Sequence, residues 1–498
     1  MKKFLRRSGF AFLALITLVA LAYAIENWRG AAAWTAEQKR IRDRGEPLVW
    51  ADLLGAAPAP EDNFAASPLF AGIFEYQQTK DAKGRDRFEW MGRDALKRLS
   101  ELTQVPPPLK DEPREKPTRG IDLALVAARF RAAPGFTCPE PSADPAKDLL
   151  ACLTSRQETF DLIDDAARRP FSRFPIRYED ADQALLPHLA HLKGAASLLQ
   201  IRALARLQTG DSTNALSDVR LILRISRAAG ADPVLIGGLV QFAIENLAVN
   251  TFWHGWRDSA WTDSQLAELQ QRFSAISSRS NILLALRGER IFSSTLYDLM
   301  LDDPSRYFES VAEAGEEGTA AFPPSVRIMP SGWFRQNQAT HSRVIDDMIR
   351  HGQERPEDRA LSTDRVSLMQ QLQAIPLPYS IMARMVLPYL ENTFKTADRQ
   401  LAITQLTVTA CALERHRIAH QSYPATLDAL IPGFLPRVPV DPIDGQPLRY
   451  SLKPDGTFVL YSIGLDGRDN GGDAGKPNQE APDWVWPQRN AGPAGRLF

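Results

Sequence analysis

Apolar and polar positions alternate in three different ways along this chain. From Ser8 to Ile25 eighteen residues carry no charge, and Lys2, Lys3, Arg6 and Arg7 stand in front of them. As a helix such a run rises about 27 Å at 1.5 Å per residue, close to the roughly 30 Å hydrocarbon core of a bilayer. Residues 1–25 are therefore expected to form a single transmembrane anchor in the inner membrane. Its basic end would stay cytoplasmic and the bulk of the chain would lie in the periplasm. A cleaved signal peptide is the alternative, with Ala22-Tyr23-Ala24 as a small-x-small site. Both send the remainder to the same compartment.

From residue 26 the period becomes helical, interrupted by proline. Residues 26–45 predict a helix ended by Gly45, with Trp28, Ala31 and Ala32 on one side. Proline-rich polar stretches at 53–70, 104–118 and 132–147 predict connecting arms. Leu189, Leu192, Ala196, Leu199, Ala203 and Leu207 recur at three- and four-residue steps, one face of a helix that Gly210 closes. Leu216, Val219, Leu223 and Ala228 form the inner face of the next. Asp232-Pro233 reads as an N-cap followed by proline at the first helical position, and Thr262 with Gln265 as a capping box. Paired helices with tight glycine turns resemble tetratricopeptide-type hairpins, without a clean 34-residue repeat. Helices continue through 333–353 and 376–421, with a loop over 315–332.

Beyond Tyr423 the period falls towards two. "LRYSLK" and "TFVLYSIG" flank a Pro-Asp-Gly turn and predict two antiparallel strands. The expected fold is mainly α: a membrane anchor (1–25), helices with proline-rich arms (26–156), an α-helical body (157–390), and a small α+β domain with an antiparallel sheet (391–498).

Composition narrows the function. The 498 residues include 44% hydrophobic and 24% charged residues, an ordinary globular balance. With 59 basic and 60 acidic residues there is no basic excess to call for a nucleic-acid partner. Cys138 and Cys152 are spaced to form a disulfide in an oxidising compartment, with Cys411 left over; three buried thiols are the alternative. The chain has no GxSxG, HExxH or GxxxxGK[ST] motif. Asp211 and Ser212 in "TGDST" read as helix caps rather than a nucleophile site. His416 and His420, four apart, read as surface histidines rather than metal ligands. Arg287, Glu289 and Arg290 read as an internal ion cluster.

One loop carries candidate chemistry. "YSIGLDGRDNGGDAG" sets Asp466, Asp469 and Asp473 close together, beside Asn470, in a run of five glycines. Such carboxylates repel unless solvent or a cation neutralises them. Their hard oxygens, with backbone carbonyls, are the donors that calcium (Ca2+) takes, although the spacing is not that of an EF-hand. A solvated turn is the alternative.

Residues 396–486 resemble the C-terminal part of the major pseudopilin of type II secretion systems. The resemblance lies in a long helix, then Tyr423, Pro424, Leu427 and Leu430, then Pro442, Gly445, Pro447 and Tyr450. It continues through Tyr461, Ser462, Gly464, Asp466 and Gly467 to Trp484. It implies one structural calcium ion in the loop after the last strands, with Asp466 the best-matched ligand and Asp469, Asp473 and Asn470 beside it. The sequence departs from that family in placing its apolar segment about 370 residues earlier and in carrying Ile443 where the family has tryptophan. "RRSGFAFLALI" mimics a prepilin cleavage site at Gly9-Phe10, but Ala14 replaces the family's glutamate. The expected role is a membrane-anchored, exported, non-catalytic adaptor with protein partners in the cell envelope. A true pseudopilus subunit and an envelope hydrolase without a linear motif are the alternatives.

Overall fold

The computed structural model describes residues 2–80, 86–109, 121–302, 329–361, 372–475 and 482–487. It is mainly helical with a small C-terminal antiparallel sheet, as the periodicities predict. Most of the loop expected at 315–332 and of the arm at 104–118 falls outside the described residues.

Helix α1 (Lys2–Asp43) runs unbroken from the basic N-terminus through the apolar stretch into the body. Its N-terminal stretch is wholly uncovered, whereas Gly30, Trp34, Glu37 and Ile41 are buried. Trp28, expected on the inner side, is 72% exposed, because the 30/34/37/41 line is the one that meets α12 (Ser331–Glu354). Trp333 Nε1 donates to Glu26 (3.0 Å), Arg343 Nε to Glu37 (3.1 Å), and Arg40 pairs with Asp346 (3.0 Å). Numbers rise together on the two helices, so they run parallel. Their closest approach uses two glycines: a Cβ on Gly332 would lie 1.8 Å from the Glu26 carbonyl oxygen, and one on Gly30 would lie 2.2 Å from that of Gly332.

Helix α11 (Ser278–Asp302) lies against α12 in the opposite direction. Its arginines do form buried ion pairs, but with acids from elsewhere. Arg287 meets Glu46 (2.8 Å), and Arg290 meets both Asp346 (2.6 Å) and Glu46 (3.3 Å), while Arg44 also reaches Asp346. Glu289, expected in this cluster, supplies neither arginine with its partner; burial pushes its carboxyl up to about 7.

Short helices α2 (Trp50–Leu54), α3 (Arg93–Thr103), α4 (Leu123–Ala132), α5 (Pro145–Leu153) and α6 (Gln157–Ala167) fill the segment before the body. The stretch 53–70 is no free arm. Its prolines open two of three consecutive 3-10 turns, which carry Phe64, Leu69 and Phe70 into the core. A hairpin of β1 (Tyr76–Lys80) and β2 (Asp86–Trp90) had no counterpart in the sequence reading. Cys138 and Cys152 are bonded, and Cys411 is a buried free thiol.

Helices α7 (His188–Gln208) and α8 (Ser212–Ala229) form the expected hairpin. Gly210 adopts φ 83° at the turn, and Asp211 caps α8 by accepting from Asn214 N (3.1 Å). In the next helix, α9 (Leu235–Arg257), Val234 rather than Asp232 occupies the N-cap position, with no side-chain cap bond. Asp232 instead turns inward, accepting from Tyr178 OH (3.3 Å) and pairing with His188 Nε2 (2.7 Å). Helix α9 is long and apolar enough to cross a membrane, but 61% of its most apolar stretch is buried, so it is a core helix. The Thr262–Gln265 capping box opens α10 (Asp263–Ser274) as predicted.

Helix α13 (Leu377–His420) joins body to sheet. It starts beside α12, where Asn337 accepts from Met382 N (3.0 Å), and Asp398 takes Leu361 N beyond the end of α12, so the two run the same way. Its C-terminal half packs on α10, with Arg415 on Asp263 (3.0 Å) and Gln270 (3.2 Å). His416 is buried, not on the surface. Its ring stacks on that of His420 at 4.2 Å and its Nδ1 is engaged by the Ser422 carbonyl.

The C-terminal sheet has the order β3 (Arg449–Leu452), β4 (Phe458–Ile463), β5 (Asp483–Val485). The Pro-Asp-Gly turn closes the first pair, with Gly456 at φ 79° and Lys453 N donating to Thr457 O (2.7 Å). Strand β5, too short to show a period, adds Trp484 opposite Ser462. This sheet does not stand alone. Trp256 of α9 meets Phe458 (6.0 Å between rings) and Trp486 (5.8 Å), and Trp253 Nε1 donates to Pro487 O (3.3 Å). One continuous core thus runs from Trp50 to Trp486.

Candidate functional site: the C-terminal acidic loop

The loop leaves β4 at Ile463 and turns at once, Gly467 N donating to Gly464 O (3.1 Å) with Gly467 at φ 70°. Further glycines at positive φ, Gly471 and Gly472, fold it back towards β5. Aspartate and glycine thus act together here: short acceptors cap amides that the glycines leave pointing inward.

Each predicted ligand is exposed and engaged locally. Asp466 accepts from Arg468 N (3.0 Å) and from the Asn470 side-chain amide (3.2 Å). Asp469 accepts from Gly471 N (3.0 Å) and Tyr461 OH (2.9 Å), and its second oxygen lies 3.5 Å from Arg449 Nε. The Gly471 amide and the Tyr461 hydroxyl hold the Asp469 carboxyl below its usual range, while burial pushes the Tyr461 phenol up to about 12. Asp473 accepts from Gly475 N (2.8 Å). The donor chemistry suits a hard cation. As placed, however, the carboxylates face their own backbone; among the described residues no three Asp, Glu, His or Cys side chains converge as a metal shell.

The carboxylates that organise the site are two the sequence reading passed over. Asp483, fully buried at the start of β5, accepts from the amides of Asn470 (3.1 Å), Gly472 (2.8 Å) and Asp473 (3.3 Å), and its own N–H donates to Asp473 O (3.0 Å). Asp441, also fully buried, accepts from Ser462 Oγ (2.8 Å), Ile463 N (2.8 Å), Ile443 N (3.0 Å) and Arg449 (3.0 Å). Burial pushes its carboxyl up against those donors. Arg449 bridges Asp441, Asp444 and Asp469, and hydrogen bonding to Asp444 first of all strengthens its protonated form. The loop is therefore pinned to the sheet by buried anions gathering amides, a device that removes charge from solvent only where donors are plentiful. A signal existed for Asp441 in the Asp-Pro step before the strand, but none for Asp483.

Other titratable groups lie away from this loop. Glu245, wholly buried between Gln241 (2.6 Å) and Gln400 (3.0 Å), is pushed up to about 7 by desolvation. His188 and Asp232 are packed beneath Phe174, whose ring stacks on the imidazole at 3.9 Å. Ser212 is the first residue of α8, its hydroxyl accepting from Gln265 Nε2 (3.1 Å), a role in helix packing.

Three curated relatives share sequence with the chain. The type II secretion system core protein G of Pseudomonas aeruginosa is 32% identical in an alignment of 112 residues that covers 19% of this chain and 78% of that protein. The proteins of the same description from Vibrio cholerae and Aeromonas hydrophila are 28% identical over 107 residues and 29% over 104, each match spanning 18% of this chain and 73% of the relative. No family model and no solved structure matches the chain. The similarity is distant and partial, and the remaining four-fifths is unassigned. Within that stretch, about a fifth of its length, the chain belongs to the family of the type II secretion system core protein G.

Proposed function

We propose that this protein is a non-catalytic accessory of the type II secretion machinery, tethered to the inner membrane by α1 and presenting its pseudopilin-like C-terminal unit to secretion-system proteins in the periplasm. The observation that carries the reading is a match over most of core protein G, on a chain whose N-terminal apolar helix is left uncovered. The packing of the sheet onto α9 favours an accessory over a filament subunit. Aromatic surface that a free-standing unit would leave open is filled here by Trp253 and Trp256. Cross-linking of the full chain in cells with an active type II system tests it: secretion-system proteins should be recovered with it. Recovery of none of them would refute the assignment. The intact mass separates the N-terminal readings, an uncut chain supporting the anchor, a cut after Gly9 the pseudopilus subunit, and a cut after Ala24 the signal peptide.

Calcium belongs to the same proposal. Asp466, Asp469, Asn470 and Asp473 would hold it, each side chain rotating away from the amide it now caps, and the ion would supply the charge neutralisation that the loop otherwise takes from Arg449 and its own N–H groups. A site of this kind, filled at a hundredfold excess over its dissociation constant, adds about 2.7 kcal/mol to the native state. Thermal unfolding of the full chain should then shift upward between chelator and excess calcium, and Asp466→Ala should abolish the shift. An unchanged midpoint would leave the loop as a solvated turn.

A further inference from the structure

We infer that the lower end of the helical body, at the start of α13, rests in the headgroup layer of the bilayer, so that Leu377 and Ile381 contact lipid. This rests on the anchored reading of α1 proposed above. Because α1 is unbroken, its rise fixes the level of each residue, and the uncharged run stops at Ile25. At the next residue the body begins. Glu26 accepts from Trp333 Nε1 (3.0 Å) at the start of α12 and from Tyr379 OH (3.0 Å) at the start of α13, while Arg29 also donates to Tyr379 OH (3.3 Å). Both helices therefore begin where the hydrocarbon ends.

Beside the exposed Arg29, several side chains left open at that level are apolar or aromatic. Trp28 is 72% exposed, Leu377 57% and Ile381 44%, and Tyr23 stands exposed on α1 just below. Tryptophan and tyrosine collect at this depth in membrane proteins, their rings among the headgroups and their polar atoms towards water. Since α13 runs parallel to α12, and α12 to α1, depth follows from residue number. Leu377 lies about 3 Å below Tyr379, and Ile381, Met385 and Tyr389 about 3, 9 and 15 Å above it. The headgroup layer adds roughly 5–7 Å outside the hydrocarbon. It reaches the first two of these side chains and stops short of Met385 and Tyr389, although these continue the same exposed stripe. Lipid is the occupant because the patch stands level with the end of the uncovered apolar stretch of α1, a level set by the Tyr379–Glu26 bond.

The test uses the full chain in phospholipid vesicles. The native disulfide stays closed and Cys411 is buried, so single Val19→Cys, Leu377→Cys, Ile381→Cys, Met385→Cys, Tyr389→Cys and Leu452→Cys variants each take one environment-sensitive fluorophore. Vesicle lipids carry a nitroxide quencher on the headgroup or the acyl chain. Labels at 377 and 381 should lose roughly half or more of their emission to headgroup quencher, with a weaker effect at 385 and none at 389 or 452. Quenching at 19 by the acyl-chain probe with 377 and 381 behaving like 452 would overturn the inference and leave the anchor standing. Absence of quenching at 19, or its removal with a cleaved peptide, would overturn the anchored reading itself. Emission at 377 and 381 that shifts with protein-to-lipid ratio but resists quenching would mean that a second copy covers the patch, and the inference would fall.

Discussion

Replacing Gly332 by alanine probes the contact that fixes α1 to the body. The added Cβ would stand 1.8 Å from the Glu26 carbonyl oxygen, 2.3 Å from its carbon and 2.7 Å from Asn27 Cα, all backbone atoms that cannot rotate aside. Restoring ordinary contact requires α1 and α12 to part by an ångström or more. Two effects oppose each other. Alanine favours the helix by at most about 1 kcal/mol over glycine. Overpacking a tight interface costs typically 1–3 kcal/mol. Separation also stretches the bonds from Gly332 N to Asn27 Oδ1 (2.9 Å) and from Trp333 Nε1 to Glu26 (3.0 Å), each worth roughly 0.5–1.5 kcal/mol or somewhat more where the acceptor is charged. The balance is a net loss of about 1–4 kcal/mol. The assay is thermal unfolding of the purified full chain in detergent, with Gly433→Ala as control, because nothing lies within 4 Å of a Cβ there. At about 2–4 °C per kcal/mol for a large domain, the Gly332 variant should melt several degrees lower and the control within about a degree of wild type. A Gly332→Ala protein as stable as the control would refute the close parallel packing of α1 on α12.

Three further outcomes follow from the packing and the charges. Trp256→Ala removes the ring between Phe458 and Trp486 and should cost about 3–5 kcal/mol in denaturant unfolding, with hydrogen exchange rising across β3–β5; unchanged protection of the sheet would show that it folds without α9. Opening the Cys138–Cys152 bond, by reductant or by Cys138→Ser, releases a fourteen-residue loop and should lower stability by about 3 kcal/mol in denaturant unfolding. Glu268 is held down to about 2, first by hydrogen bonding from Arg220 and then by Arg272. Its folded pKa lies below the unfolded value near 4.3, so its contribution is complete above about pH 5 and is lost as pH falls towards 2. Because the pair is partly solvent-screened this contribution is at most about 1 kcal/mol, and Glu268→Gln should lower stability at pH 7 by up to that amount, leave it unchanged near pH 2, and so flatten the profile over that window.

Features governed by near neighbours were legible in the sequence. The α7–α8 hairpin, the Asp211 cap, the Thr262–Gln265 box and the Pro-Asp-Gly turn all depend on residues within a few positions of each other, and they stand where the pattern puts them. What depends on distant partners was not. Asp232 reads as a cap until His188, forty-four residues earlier, claims its carboxylate. The prolines of 53–70 look like a linker because their role as openers of 3-10 turns shows only when Phe64 and Phe70 find the core. Strands β1 and β2 hide because most of β1 is solvent-exposed and the alternation in β2 covers only Phe88 and Trp90, too short a pattern to mark a strand. The acidic loop was visible as composition, yet its organising anions, Asp441 and Asp483, are recognisable only from the amides that the fold gathers around them.

The unbroken course of α1 sets the body's bearing as well as its height. A helix turns about 100° per residue, and the Glu37, Arg40 and Arg44 contacts to α12 lock that phase into the rest of the molecule. Whatever holds residues 8–25 therefore dictates which way the C-terminal sheet points around the helix axis. One residue inserted between Ile25 and Glu26 would swing the whole body by more than a quarter turn while lifting it only about 1.5 Å. The sheet behaves as a signpost set in its socket rather than a weight on a string, and its compass direction is written into α1.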